Sequence, residues 1–465
     1  MLGVVAAIVV TAWLCMMLIK KTYAPAVLIT AGVILMVIAA VFGLGEVLPA
    51  KNSTGFVPFD IFDQIRRMFS TRMGGLGLQI MLIAGYSKYM EKIQASTVLC
   101  EILATPIRRL NSPMLVFAFT YFVTQMLQAI IPSAVGLALI CMITFYPILV
   151  QAGFSRLTAC ALIASSRALS WGPAAPNSVV ATQTTGMDLT QYFLTYHTPV
   201  VLFLMVVMLV VHLIVQPYFD RKEGPDTEGL KLLAQMQPQT GERPPLIYSI
   251  LPVLPLILII GCSPLVVEYF GLPYSVKMNV GTAMIISTFV ALIFELVRTR
   301  SAKEVLTGWK PFFESMGKMF TSVVVLIVAG EIFAKGLVLT GVLASIIDGA
   351  NHAGFGAFVM TSIFGGITWI SAILMGSGNA AFFSFCPMVP AVAEAVNADP
   401  NVMMVALDLY STFGRTMSPI TGAIVAVAGI ASVSPFAVAK RTAIPMIVCG
   451  LVMMPYIHFY FGFGG

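Results

Sequence analysis

Two stretches decide the fold: SRALSWGPAAPNSVVATQTTG at residues 166–186 and TFGRTMSPITGAIVAVAG at residues 412–429. Each places proline, glycine and small polar residues inside an apolar segment. Proline removes a backbone donor and clashes with the preceding turn, so neither segment can be one continuous helix. Lipid cannot satisfy the freed backbone groups, which are tolerated only around a cavity or inside protein. The two stretches therefore predict two broken helices, one in each half of a membrane transporter.

The composition of the 465-residue chain is that of a membrane protein. Hydrophobic residues make up 58% of the sequence, charged residues only 10%, and the mean hydropathy is +0.94. A soluble fold of this length could not bury so much apolar surface. The net charge of +6 comes from basic residues spread over short loops, a pattern that orients a protein in the bilayer. We therefore predict an all-α polytopic membrane protein in a lipid bilayer, with no nucleic-acid partner.

One long polar segment divides the chain. Residues 217–245 contain it, and we predict that they form a cytoplasmic linker between a first repeat at 1–216 and a second repeat at 246–465. Each repeat is predicted to hold about five transmembrane helices, one re-entrant hairpin and one broken helix. In chain order the hairpins and broken helices are predicted at 113–152, 157–190, 354–396 and 401–431.

The two halves repeat the same order of features. A shift of 243 residues places Pro147 on Pro390 and Pro176 on Pro419 without a gap. If the basic loops are all cytoplasmic, each half makes an odd number of crossings, and the second repeat is inverted relative to the first. Two charged amphipathic pieces, at 60–72 and 302–320, are predicted to lie along the membrane interface.

No motif for a cofactor or for catalysis appears. The seven cysteines are single and have no metal or redox spacing. The sequence has no GxxxxGK[ST] loop, no HExxH and no GxSxG. We therefore predict a carrier that is not an enzyme, has no cofactor apart from a possible coupling sodium ion or proton, and takes its energy from a gradient.

Several runs resemble one known family. GGLGLQIMLIAGYSKYMEKIQAS (74–96), IPSAVGLAL (131–139), FYPILVQAGFSRLTACALI (145–163) and GPAAPNS (172–178) resemble the DcuC family of anaerobic four-carbon dicarboxylate carriers of bacteria. The resemblance covers nearly the whole chain. It implies a multi-pass protein of the inner membrane, a homodimer, and elevator-type scaffold and transport domains. It also implies that the substrate is a small dicarboxylate such as succinate, fumarate or malate.

A dicarboxylate needs donors or cations in place of water, because moving two negative charges out of water is costly. Helix N-termini at the hairpin turns and breaks offer unpaired amides and a partial positive charge. Arg167 and Arg415 lie beside the two breaks and offer guanidinium groups suited to a carboxylate, or they pair internally. The predicted substrate-binding residues are Ser133, Gly136, Arg167, Gly172, Pro173, Asn177, Ser178, Ser377, Gly378, Asn379, Arg415, Thr416, Ser418, Pro419 and Thr421.

Coupling to a gradient needs a site for a proton or a sodium ion. Asp408 lies two helical turns before Arg415 and is either the coupling residue or the structural partner of that arginine, the reading we favour. His197, a lone histidine near a helix end, is predicted to be a packing residue. Sodium would bind side-chain oxygens at the turns, and the candidate ligands are Ser133, Asn177, Ser377 and Asn379.

Other functions remain open at this point. A sodium/proton antiporter also uses crossed broken helices, although such a protein would be expected to carry more carboxylates in its spans than Asp408. A carrier of another organic anion fits the same features. The sequence does not distinguish symport, exchange and efflux.

Overall fold

The fold is known from a computed structural model, which describes residues 2–20, 22–224, 226, 228–229, 243–263, 267, 278–342, 345 and 356–462. These residues form helices and turns, with no β-strand among them. Parts of the predicted linker (225, 227 and 230–242), the end of the apolar segment after residue 263 and the first two residues of the hairpin at 354–396 lie outside the described residues. Within the described residues, seven helices are long and apolar enough to cross a membrane: Ala24–Val41, Leu189–Glu223, Val280–Thr299, Ala302–Leu339, Ala357–Met375, Pro400–Ile430 and Pro435–Phe461.

Shorter helices complete the architecture, and some of the long spans are divided. The first half also contains Leu2–Ile19, Val57–Arg72, Leu78–Lys92, Ala95–Ile107, Pro113–Leu127, Ala134–Thr144, Tyr146–Gln151, Arg156–Ala164 and Pro176–Thr185. The second half contains Leu246–Val253 and Leu254–Gly261, and its longer spans include Lys310–Met319, Val325–Leu339, Gly378–Phe385, Val389–Ala395, Pro400–Met417 and Gly422–Ile430.

Both halves contain a helix with a π-helical turn. Val57–Arg72 continues through Met73–Gly77 into Leu78–Lys92, and Lys310–Met319 continues through Phe320–Val324 into Val325–Leu339. The two π turns touch: a Cβ added to Gly77 would lie 2.8 Å from Val324 Cγ1. The amphipathic pieces at 60–72 and 302–320, for which the sequence predicts a place along the membrane interface, continue into the apolar helices that follow them. Their place at the interface stays a prediction.

An ion pair joins the two kinked helices. Arg72 Nε lies 2.6 Å from Glu331 Oε1, and both side chains are largely buried. Removing either partner would leave a buried charge without compensation, which is strongly unfavourable. The Arg72–Glu331 pair therefore stabilises the contact between the two kinked helices.

Two helix pairs with short turns follow the kinked helices. The first helix pair consists of Pro113–Leu127 and Ala134–Thr144, and the second consists of Ala357–Met375 and Gly378–Phe385. Ser133 and Ser377 begin the second helix of each pair: Ser133 Oγ accepts from the Gly136 amide at 3.0 Å, and Ser377 Oγ accepts from the Ala380 amide at 3.2 Å. A serine at this position satisfies one of the free amides of a helix N-terminus.

Both interrupted helices have their breaks within the quoted stretches. The first broken helix consists of Arg156–Ala164 and Pro176–Thr185, separated by a 3₁₀ turn at Ser165–Arg167 and non-helical residues 168–175. The second consists of Pro400–Met417 and Gly422–Ile430. Each broken helix packs against the other and against both helix pairs, so the four interruptions come together in the core.

Candidate functional site

The two breaks contact each other through side chains and backbone. Thr412 Oγ1 donates to the carbonyl oxygen of Ala168 at 2.6 Å. Arg415 Nη2 donates to the carbonyl oxygen of Arg167 at 2.6 Å. The carbonyls released by the first break are therefore satisfied by the second broken helix. This is the arrangement that allows irregular backbone at membrane depth.

The first helix pair is tied to the first break by two glutamines. Gln125 Nε2 donates to the Ser165 carbonyl oxygen at 3.0 Å, and Gln128 Nε2 donates to Gln125 Oε1 at 2.8 Å. The Trp171 amide then donates to Gln128 Oε1 at 3.2 Å. The two bonds of Gln125 are buried and the Trp171 bond is partly buried, so the helix pair and the break form one hydrogen-bonded unit.

The turns and breaks surround one cavity of about 590 Å³. This size is within the usual range for small-molecule sites. Five of the predicted substrate-binding residues line it, and they come from both helix pairs and both broken helices: Ser133, Gly136, Arg167, Asn379 and Arg415. We call this side, with Pro132, Ala134, Val135 and Pro176, the turn wall of the cavity.

The opposite side of the cavity is formed by two helices in which the sequence analysis named no substrate-binding residue. We call it the stripe wall. It consists of Ile80, Ile83, Ala84, Ser87, Lys88 and Glu91 from the first kinked helix and Pro311, Glu314, Ser315, Lys318, Met319 and Ser322 from the second. Both sets follow the same three- and four-residue spacing, which places residues on one helix face. The two helices are joined where Ser315 Oγ donates to the Ala84 carbonyl oxygen at 3.0 Å.

The two arginines of the turn wall are buried and have unused donors. Arg167 is 6% exposed and Arg415 is 8% exposed. Arg167 Nη1 donates to the Ile131 carbonyl oxygen at 3.1 Å, whereas its Nε has no partner. A guanidinium carries five N–H donors. No carboxylate oxygen of the described residues lies within 4.0 Å of either guanidinium.

Asp408 does not pair with Arg415, which corrects the reading favoured from the sequence. Asp408 Oδ1 instead accepts from Asn177 Nδ2 at 2.6 Å, and Asp408 Oδ2 lies 3.9 Å from His197 Nε2. The three side chains are at most 2% exposed. Asn177 Oδ1, Asp408 Oδ2 and both ring nitrogens of His197 have no hydrogen-bond partner in the described part of the chain. This buried cluster joins both broken helices to Leu189–Glu223.

The remaining predicted site residues do not line the cavity. Ser178 Oγ donates to the Gly172 carbonyl oxygen at 3.0 Å, and a Cβ on Gly172 would lie 3.0 Å from Ala129 Cα. Thr421 Oγ1 donates to the Arg415 carbonyl oxygen at 2.6 Å. These residues shape or satisfy the backbone of the breaks. The predicted residues that stay outside the cavity lining are Gly172, Pro173, Asn177, Ser178, Ser377, Gly378, Thr416, Ser418, Pro419 and Thr421.

The four candidate sodium ligands are divided between three places. Ser133 and Asn379 line the cavity, Ser377 Oγ caps its own helix, and Asn177 bonds to Asp408. Within the described ranges, no group of three or more His, Cys, Asp or Glu side chains is arranged to hold a metal ion. A sodium site at Ser133, Asn177, Ser377 and Asn379 stays a prediction.

The sequence of this chain is similar to those of known transporters. The family model for the C4-dicarboxylate anaerobic carrier, DcuC, matches residues 2–460. The anaerobic C4-dicarboxylate transporter DcuC of Escherichia coli O6:H1 is 32% identical over 438 residues, which cover 94% of this chain and 92% of that protein. A probable DcuC of Vibrio cholerae is 32% identical over 93% of this chain and 92% of its own length.

Two solved structures share the fold. The YdaH transporter of Alcanivorax borkumensis aligns with a TM-score of 0.64 over 95% of this chain and 98% of that chain, at 16% identity. MtrF of Neisseria gonorrhoeae, described as one of a class of antimetabolite efflux pumps, aligns with a TM-score of 0.62 over 95% of this chain and 96% of that chain, at 12% identity. At these identities the likeness concerns the fold alone.

Proposed function

This chain belongs to the DcuC family of C4-dicarboxylate anaerobic carriers, and we propose that it carries small C4-dicarboxylates such as succinate, fumarate or malate by secondary transport. The chain is a multi-pass protein of the bacterial inner membrane and a transporter, not an enzyme. The relatives are named for C4-dicarboxylates, and the charge of the cavity supports the same substrate class here.

The charge of the cavity is the observation that carries the proposal. Its lining contains four cationic side chains, Lys88, Arg167, Lys318 and Arg415, and two anionic ones, Glu91 and Glu314. The excess of two positive charges matches a dianion. Two of the cations are buried arginines without a carboxylate partner within 4.0 Å among the described residues. Because a buried unpaired charge is costly, an anion bound between these arginines would be stabilised by both of them.

One carboxylate of the substrate would bind Arg415 and the turn of the second helix pair at Asn379. The other would bind Arg167 and the turn of the first helix pair, where Ser133 begins a helix. In both places a helix N-terminus faces the cavity and adds a partial positive charge. The two halves of the chain would thus each hold one end of a symmetric ligand.

Transport would proceed by alternating access of this site. The same order of kinked helix, helix pair, broken helix and long helix in both halves supports an inverted repeat with re-entrant helix pairs. The cavity lies between the turn wall and the stripe wall. In an elevator mechanism the turn wall would slide along the stripe wall and carry the substrate across. A homodimer would hold the stripe-wall helices fixed as a scaffold, and the native mass in detergent or nanodiscs tests that part.

The coupling ion, a proton or a sodium ion, would bind at Asp408. Asp408 is buried and bonds to Asn177, so its occupancy is linked to both broken helices. An intramembrane carboxylate with an unpartnered oxygen is a natural place for a cation. Coupling then follows because binding at Asp408 and binding at Arg415 act on the same helix.

Uptake of labelled succinate into proteoliposomes tests the proposal. The purified protein would be assayed with and without internal fumarate, at zero and at imposed sodium and proton gradients. Saturable uptake that internal fumarate accelerates is the expected result and would establish exchange of dicarboxylates. Cation exchange without competition by any carboxylate would instead identify a sodium/proton antiporter, whereas competition by other organic anions alone would move the assignment to another anion carrier.

A further inference from the structure

The stripe wall contains one lysine that is available to an anion. Lys318 lines the cavity and is exposed. Of the other charged residues of this wall, Lys88 Nζ lies 2.9 Å from Glu91 Oε1, and Glu314 Oε1 lies 3.4 Å from Lys310 Nζ. No carboxylate oxygen of the described residues lies within 4.0 Å of Lys318 Nζ.

The surroundings of Lys318 also contain polar side chains on the same helix face. Ser315 and Ser322 lie about one turn before and one turn after it, and both line the cavity. Ser322 Oγ donates to the backbone carbonyl oxygen of Lys318 at 2.7 Å, one helical turn earlier. The π turn at Phe320–Val324 follows directly. Such turns occur often at functional sites.

We propose that Lys318 forms an outer anion subsite, which binds a carboxylate of the substrate on the stripe wall before the dianion reaches the two arginines. The inference rests on the proposed dicarboxylate function and adds a residue that is not among the predicted substrate-binding residues. Arg167 and Arg415 are buried, whereas Lys318 is an exposed residue of the same cavity lining. An anion that enters from water would therefore meet the charge of Lys318 first, and an exposed cation raises the local concentration of an anion and guides it inward.

The subsite has a defined effect on kinetics. Lys318→Gln removes the charge but keeps much of the length, so half-saturation by succinate should rise about three- to tenfold at low ionic strength, with the maximal rate within about twofold. The effect should shrink at about 1 M salt, where the Debye length is only about 3 Å. Lys318→Arg should restore wild-type half-saturation, because the charge is present again.

Lys303→Gln is the matched control. Lys303 lies on the same span, Ala302–Leu339, but outside the cavity. Unchanged half-saturation in Lys318→Gln at low salt, or an equal change in Lys303→Gln, would overturn the subsite while the wild-type protein still transports succinate. Absence of saturable dicarboxylate uptake by the wild type would instead defeat the proposed function, and the subsite with it. Equal melting temperatures of the variants exclude misfolding as the cause.

Discussion

Individual charged residues decide what the cavity can hold. Arg415 reaches the cavity with a guanidinium of which one N–H donates to the Arg167 carbonyl oxygen. The rest of the group has no carboxylate partner within 4.0 Å in the described chain. A hydrogen bond to a charged group contributes about 1.5–3 kcal/mol. The free donors of this residue are therefore enough to bind one carboxylate with useful affinity.

Arg415→Gln should weaken succinate binding strongly. The change removes a charge and the bidentate fork, so we expect half-saturation to rise about 10- to 100-fold. Arg415→Lys keeps the charge but not the bidentate fork, so its half-saturation by succinate should lie between those of Arg415→Gln and the wild type. The measurement is the concentration dependence of succinate uptake in proteoliposomes. The exposed Arg109→Gln is the control, and a wild-type half-saturation in Arg415→Gln would exclude Arg415 from the site.

Asp408→Asn should separate coupling from exchange. Asparagine cannot carry the negative charge that a coupling cation needs, whereas it can keep a hydrogen bond with Asn177. We expect gradient-driven accumulation of succinate to be lost and succinate–fumarate exchange at zero gradient to remain. Accumulation by Asp408→Asn at the wild-type level would show that the coupling ion binds elsewhere. Glu394→Gln, which changes an exposed carboxylate of the same half, should behave as wild type in both assays.

The sequence identifies the main charged residues of the site but not all of the side chains that contact them. Arg167, Arg415 and Asp408 were recognisable because ionisable residues inside membrane spans are costly and therefore usually functional. Spacing along one helix suggested that Asp408 pairs with Arg415. The structure places Asn177 and His197 against Asp408, because contacts between helices are set by tertiary packing. Sequence periodicity does not report that packing.

At the scale of elements, the second helix pair is held tightly to the second broken helix. Gly365 lies where a Cβ would be 2.2 Å from Tyr410 Cδ2. The Tyr410 ring cannot move easily, since its hydroxyl donates to the Gly450 carbonyl oxygen at 3.1 Å and its ring packs on Trp369. A glycine is thus required for this close approach.

Gly365→Ala should destabilise the protein, and its neighbour provides the control. A Cβ on Gly366 would meet no heavy atom within 4 Å. Forcing a methyl group into the packed contact at Gly365 costs about 1–3 kcal/mol, whereas alanine at Gly366 should be neutral or slightly stabilising in a helix. The melting temperature in detergent measures the difference. Equal melting temperatures of the two variants would contradict the close contact.

Sequence reasoning located the interruptions better than it located the flanking helices. Pro173, Pro176 and Pro419 break helices for local steric reasons, and the structure has its breaks at residues 168–175 and 418–421. Ala95–Ile107 was not predicted, because Glu101 and Pro106 interrupt its short apolar run. The amphipathic pieces before each π turn were separated from the helices they continue into. A change from amphipathic to apolar composition looks like a boundary, but the backbone has none there.

At the scale of the whole molecule, the cavity is a contact between two units of different kinds. Broken helices and helix pairs are cross-linked by hydrogen bonds such as Arg415 to Arg167 and Thr421 to the Gly376 carbonyl oxygen. The stripe-wall helices are joined to each other at Ser315 and Ala84. The stripe-wall residues of each helix follow a three- and four-residue spacing that is visible in the sequence. Which helices face each other across the cavity is a property of the assembled fold, and this is why the stripe wall was missed.

A cross-link between the two walls should stop transport if the turn wall moves along the stripe wall. Ser87 lines the stripe wall and Ser133 the turn wall. In a background without native cysteines, Ser87→Cys with Ser133→Cys would be joined by bifunctional thiol reagents of increasing length. We expect succinate exchange to be lost once a reagent spans the cavity, because the walls can no longer slide, and to return when the reagent is cleaved.

A pair inside one wall distinguishes motion from simple blockage. Ala84→Cys with Ser315→Cys joins two helices that are already in contact within the stripe wall, so its cross-link fixes no sliding surface and should leave exchange largely intact. The cross-links of both cysteine pairs add similar bulk near the cavity. If exchange is lost only in the Ser87–Ser133 pair, the loss therefore reports movement between the walls. Full exchange by the cross-linked Ser87–Ser133 pair would mean that the substrate crosses without sliding, and would exclude an elevator for this chain.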